Sequence, residues 1–222
     1  MIDWKLNSIQ EQQFNTYFKE LVEYNKKVNL TAITEENEVY IKHFYDSSIG
    51  AKFIPQNASV VDIGTGAGFP GLPLKICRAD INLTLVDSLN KRIEFLKMLT
   101  GKLNIKAQCE HFRAEDFAKS NREKFDVAVS RAVASLNTLC EYAMPLIKVG
   151  GIFIAYKGSN AKEELEKAQK AISTFGGVIE KIENFQLPND CGERNLIVIK
   201  KIKNTPLKYP RPQNLPKMKP IE

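Results

Sequence analysis

Residues 60–71 read Val-Val-Asp-Ile-Gly-Thr-Gly-Ala-Gly-Phe-Pro-Gly, and two glycine spacings overlap in them. Gly66-x-Gly68-x-x-Gly71 has the spacing of a dinucleotide fingerprint, in which backbone amides and a helix N-terminus hold a pyrophosphate. Gly64-x-Gly66-x-Gly68, with Asp62 just upstream, fits a nucleoside cofactor that carries no phosphate. Four glycines in eight residues exceed what a single tight turn requires.

Three neighbours weigh on the choice. Gly64 directly follows the apolar run Val60-Val61-Asp62-Ile63, whereas Gly66 lies beyond it, which favours the earlier triplet. A carboxylate at Asp62 would repel a pyrophosphate but can orient an amino group through bound water, so a sulfonium cofactor with an α-amino group suits it. Asp87 closes Leu85-Val86-Asp87, about 20 residues past the loop, where an acidic side chain accepts from the hydroxyls of an adenosine ribose. Farther on, Arg113-Ala114-Glu115-Asp116 places polar side chains and a helix start where an adenine edge would lie.

Those residues need a scaffold, and the pattern of apolar runs supplies one. Strands are predicted at Ser59–Ile63, Asn82–Asp87, Ile105–His111, Phe125–Ser130, Gly151–Tyr156, Gly177–Phe185 and Asn195–Ile202. Helices are predicted at Pro70–Ala79, Leu89–Lys102, Glu115–Lys119, Leu136–Val149 and, capped by Ser159, up to Phe175. Alternation of this kind means a mostly parallel sheet with helices on both faces. Gln186–Glu193 contains no helix, so the last two strands should pair antiparallel. The fold class is therefore α/β, a doubly wound seven-stranded sheet ending in an antiparallel hairpin.

Before the sheet, Ser8 and Glu11 have capping-box spacing, with Phe14, Phe18, Leu21 and Val22 along one helical face, and a second helix is predicted from Thr34 to about Ser48. The organisation reads as helical residues 1–50, a core at 51–203 and a basic, proline-rich tail at 204–222 without regular structure.

The 222 residues are 43% apolar and 26% charged, as in an ordinary globular protein, and suffice for one large domain with a short appendage. Four scattered cysteines and two histidines offer no metal-ligand spacing, and the cysteines read as buried thiols. No apolar run approaches a membrane span and the start is polar, which implies a cytoplasmic protein. A net charge of +6 permits a polyanionic partner.

Asp62-Ile-Gly-Thr-Gly-Ala-Gly-Phe-Pro-Gly71, with its Phe-Pro-Gly ending, resembles the glucose-inhibited division protein B family of small-subunit ribosomal RNA methyltransferases. Further matches follow in order: Asn29-Leu-Thr-Ala32, His43-Phe-Tyr-Asp-Ser47, Arg113-Ala-Glu115, Ser130-Arg-Ala132, Tyr156-Lys-Gly158 and Tyr209-Pro-Arg211. In the tail the chain departs from the family at Pro212 and Asn214, and Tyr24 stands where tryptophan is common.

The resemblance implies a Rossmann-like fold and S-adenosylmethionine-dependent methylation of guanine N7 in 16S ribosomal RNA, acting on the RNA or the small subunit. It also implies cofactor contacts at Gly64, Phe69, Ala114, Glu115 and Arg131, beside Asp62, Gly66, Gly68 and Asp87 from the reading above. Arg131 is the one candidate catalytic residue, through the cofactor, guanine O6 or a phosphate. Candidates for RNA contact are Asn29, Thr31, His43 and Lys157, with Lys208, Tyr209, Arg211, Lys217 and Lys219 in the tail. Nothing in the sequence demands more than a monomer. Two other readings stand beside this one: an NAD- or FAD-dependent oxidoreductase using the overlapping GxGxxG, and a non-catalytic RNA-binding protein with a vestigial loop.

Overall fold

The computed structural model describes residues 4–131 and 133–222; Ala132, the end of the Ser130-Arg-Ala match, lies outside them. Helix α1 (Ser8–Asn25) is capped by Asn7, whose side chain accepts from Gln10 N–H while Gln10 reaches back, so the capping box sits one residue before the expected Ser8–Glu11. The predicted Thr34–Ser48 helix is broken into α2 (Glu36–Val39), a π-helical stretch Tyr40–Tyr45, α3 (Asp46–Ser48) and a 3₁₀ turn Ile49–Phe53. Glu35, not Thr34, caps it, accepting from Glu38 N–H.

The sheet and its helices follow in the order β1 (Ser59–Ile63), α4 (Gly71–Cys77), β2 (Asn82–Asp87), α5 (Asn90–Lys102), β3 (Ala107–His111), α6 (Ala114–Ser120) and β4 (Phe125–Arg131). Then come α7 (Leu136–Ala143), β5 (Ile147–Lys157), α8 (Ala161–Thr174), β6 (Gly177–Gln186), β7 (Glu193–Lys201) and α9 (Leu215–Met218). Strand order is β3-β2-β1-β4-β5-β7-β6, parallel through β5, with β7 antiparallel to both β5 and β6 as expected of the terminal hairpin. Helix α7 stops at Ala143 because Pro145 cannot continue it, and β5 begins earlier than expected, with Gly150 at φ +92° beside an irregularity in its pairing with β4. Asn160 rather than Ser159 precedes α8. The tail forms α9 where no regular structure was expected.

Phe14, Tyr17 and Leu21 of α1 are fully buried in one cluster with Leu72, Leu96 and Phe44. At roughly 1.5–3 kcal/mol for each fully buried large side chain, these three fasten the amino-terminal helix to the sheet's helices. Only Cys140 of the cysteines is buried; the other three are half-buried, so the expected fully buried thiols hold at one position.

Candidate functional site

β1 is flanked by β2 on one side and β4 on the other, so the connections leaving β1 and β4 run to opposite sides and open a crevice at the strands' carboxyl ends. A cavity of about 480 Å³ occupies it, lined by Gly64, Gly66, Phe69, Asp87, Ala114, Glu115 and Arg131 among the expected residues. The glycine loop is held open by backbone hydrogen bonds to β2 and within itself: Gly64 and Thr65 N–H donate to Val86 O at 2.9 and 3.1 Å, and Gly68 and Phe69 N–H to Thr65 O at 2.9 and 2.8 Å. Gly64, Gly66 and Gly68 have φ of +70, +60 and +106°, the left-handed region where a side chain is strained. From outside, Tyr17 of α1 donates to Ala67 O at 2.6 Å and stacks on Phe69.

Asp62 and Gly68 do not line the cavity. The Asp62 carboxylate is fully buried and braces the loop, its Oδ2 accepting from Thr65 Oγ1 at 2.7 Å and Gly71 N–H at 2.8 Å. Burial lifts its pKa to about 7 against the pull of those two donors. Gly68 is small because a Cβ there would meet Tyr17 Oη at 2.5 Å. Gly71 lets α4 approach the sheet, since its Cβ would lie 2.7 Å from Leu85 and 2.8 Å from Asp62 Oδ2.

Asp87 lines the cavity and is nearly full: Oδ2 accepts from Gly66 N–H at 2.9 Å and Arg92 at 3.2 Å, and Oδ1 from Leu89 N–H at 2.9 Å. A carboxylate offers about four acceptor positions, so one remains on Oδ1.

At the opposite end Arg131 donates to Lys42 O at 3.1 Å and Asp46 Oδ2 at 2.9 Å, and its guanidinium lies 5.0 Å from the Phe69 ring. It also donates to His43 Nδ1 at 3.3 Å, which places the histidine's proton on Nε2, donated to Thr31 Oγ1 at 2.8 Å. Burial, then the Arg131 charge, pulls the His43 pKa down to about 3, so the ring is neutral and stacks on Phe69 at 4.5 Å. The unfolded chain binds a proton near pH 6.5 that the folded one refuses, so this stability is present above pH 6.5 and is lost as pH falls toward 3. From pH 7 to pH 5 the wild type should lose about 2 kcal/mol more than His43→Gln in chemical denaturation, because Asp62 and the other titrating groups are common to both. Equal losses would show that His43 titrates normally.

A second cavity of about 700 Å³ adjoins the first, sharing His43, Arg131, Val133 and Ala134 with it and adding Asp46, Lys157 and Arg194. Asp46 is fully buried; Oδ2 also takes Arg194 at 3.1 Å, while Oδ1 has no partner among the described residues.

Several expected RNA contacts are placed otherwise. Lys157 is buried against Glu164 and Ala134 O, both at 2.7 Å, and is not a free phosphate ligand. Arg211 is spent on Glu141 (2.7 Å), and Tyr209 packs edge-on against Phe175. Lys217 lines the first cavity. Lys208 and Lys219 are exposed, as is Asn29, while Thr31 lines the cavity. The sequence reading missed Arg92, Asp46, Arg194 and Asn214, whose places depend on partners 5 to 148 residues away.

A seven-stranded sheet of this order, with its glycine loop at the β1/β4 crevice, is the Rossmann-like fold that solved methyltransferases share. Among solved structures with this fold, a Burkholderia thailandensis 1,6-didemethyltoxoflavin-N1-methyltransferase with bound S-adenosylhomocysteine aligns at TM-score 0.57 and 13% identity, over 91% of this chain and 94% of its own. An rRNA methylase from Streptococcus thermophilus aligns at TM-score 0.52 and 15% identity, over 72% and 95%. The profile of the GidB family, rRNA small subunit methyltransferase G, matches residues 10–197. Proteins named ribosomal RNA small subunit methyltransferase G from Staphylococcus carnosus and Bacillus subtilis are each 49% identical, over 99% and 98% of this chain and 94% and 93% of theirs. The chain belongs to the GidB family.

Proposed function

We propose that the protein methylates N7 of a guanine in 16S ribosomal RNA, using S-adenosylmethionine. The observation that carries the cofactor assignment is the closed start of α4. Pro70 has no N–H, and the Gly71 N–H is taken by Asp62 at 2.8 Å, so a carboxylate occupies the place a dinucleotide pyrophosphate needs. The cavity's remaining groups fit an adenosyl amino acid: Asp87 Oδ1 for the ribose, Glu115 for the adenine amino group, and Arg131 for the carboxylate end. The RNA half rests on the family and on its relatives' names.

When bound, the cofactor supplies a methyl group activated by its sulfonium charge. Guanine N7 presents a free lone pair at neutral pH, so the protein must align the reactants and need not remove a proton. A neutral His43, tied to Thr31 and Arg131, is consistent with that. The base enters through the second cavity, and Arg131 stands where the two cavities meet. As N7 is alkylated the purine becomes cationic, and the unpartnered Oδ1 of Asp46 places negative charge in that wall. Exposed Lys208 and Lys219 hold RNA phosphates. The protein acts as a cytoplasmic monomer on the ribosomal RNA that its relatives' names specify. Among the described residues no helix is long and apolar enough to cross a membrane.

S-adenosylhomocysteine at a hundredfold excess over its Kd should stabilise the protein by about 2.7 kcal/mol, and NADH or FAD should not. Methyl-labelled S-adenosylmethionine should then label small subunits or bare 16S RNA from a strain lacking the enzyme. A shift with NADH alone supports the oxidoreductase reading, and label on neither RNA substrate refutes the main one.

A further inference from the structure

The wall of the first cavity opposite Phe69 and Arg131 includes the end of the chain: Asn214 and Lys217 line it together with Arg113, Ala114 and Glu115. The segment is fastened there. Arg211 donates through its backbone N–H and its guanidinium to both oxygens of Glu141, at 2.7–3.2 Å, and that carboxylate is buried. Arg122 donates to the carbonyls of Thr205 and Tyr209 at 2.6 and 2.5 Å, and Thr138 Oγ1 to Pro216 O at 3.1 Å. Past the anchor, Asn214 takes the left-handed conformation (φ 57°), and its N–H donates to Glu115 Oε1 at 3.2 Å.

We propose that the carboxyl-terminal segment is part of the cofactor site, with Asn214 and Lys217 binding the adenine half of S-adenosylmethionine. This rests on the reading of the cavity as that cofactor's site. Adenine offers ring nitrogens that accept and one amino group that donates. Asn214 Oδ1 is occupied by Arg113 at 3.3 Å, which leaves its amide N–H groups as donors. The Lys217 ammonium is a second donor on the same wall, and the Glu115 carboxylate, positioned by Asn214 N–H, is the acceptor the amino group needs. A basic tail expected to serve RNA alone thus supplies two donors to the small-molecule cavity, while Lys208 and Lys219 stay outside it.

The test is titration calorimetry of the full chain with S-adenosylhomocysteine. Asn214→Ala/Lys217→Ala should weaken binding by about tenfold or more, and Lys217→Met, which keeps the stem without the charge, by about threefold to tenfold. Lys217 is exposed, so Lys217→Met should leave the melting temperature without ligand near that of the wild type, and it remains informative if the double variant, which also puts alanine at the left-handed Asn214, loses stability. Wild-type binding that both variants match within twofold overturns the proposal. So does a loss confined to RNA affinity, which would return Lys217 to the RNA surface. A wild-type protein that does not bind S-adenosylhomocysteine overturns the cofactor reading itself, and this proposal with it.

Discussion

Gly64→Asp should weaken S-adenosylhomocysteine binding by more than a hundredfold, about 2.7 kcal/mol, and abolish methyl transfer while leaving a folded protein. Gly64 sits at φ +70°, where a side chain costs about 1–2 kcal/mol, and its Cβ would lie 2.5 Å from Val133 Cγ2. Val133 is partly exposed and can swing aside, so the fold survives, but a displaced valine and a new carboxylate then share the cavity wall. Gly66→Ala is the contrast: its φ is +60°, yet a Cβ there meets nothing within 4 Å. It should cost about 1–2 kcal/mol of folding stability and leave the affinity within about threefold of the wild type, since the strain is the same in the free and bound protein. Binding by Gly64→Asp within tenfold of the wild type would show that the cofactor lies elsewhere.

Arg131→Ala should lower kcat/KM by about a thousandfold, and Arg131→Lys by about a hundredfold. The guanidinium serves Asp46, the Lys42 carbonyl, His43 and the Phe69 ring at once, from a side chain only 12% exposed. Lysine keeps the charge but not the planar fork that reaches several acceptors. Alanine also leaves the buried Asp46 with Arg194 alone, so a stability loss of about 2–3 kcal/mol should accompany the kinetic one. Measuring S-adenosylhomocysteine affinity and RNA KM separately divides the effect between the two cavities Arg131 borders. Unchanged kcat/KM for Arg131→Lys would reduce the residue to a generic surface cation.

The sheet was legible because its information is local. The central strands are short apolar runs, and the glycine loop announces itself by spacing that only a left-handed backbone can use. The π-helical stretch was not legible, since 3.6-residue periodicity assumes an α-helix. Its Phe44 packs against Phe14 and Tyr17, distant in sequence. Asp62 reads as a cofactor contact because its charge and position are visible in the sequence, whereas its burial beneath Gly71 is a property of the packed helix. The tail misled most. Prolines signal irregular backbone and basic residues suggest RNA, but the pairing of Arg211 with Glu141, 70 residues away, exists only in three dimensions.

The central claim is that one cavity holds S-adenosylmethionine while an adjoining one presents guanine N7. Its most direct test is nucleoside analysis of 16S RNA, from a strain lacking the enzyme, after incubation with the protein and S-adenosylmethionine as small subunits or as bare RNA. The account predicts new 7-methylguanosine in the digest, absent with Gly64→Asp. Methylation at any other atom, or no methylated nucleoside on either substrate, would contradict it.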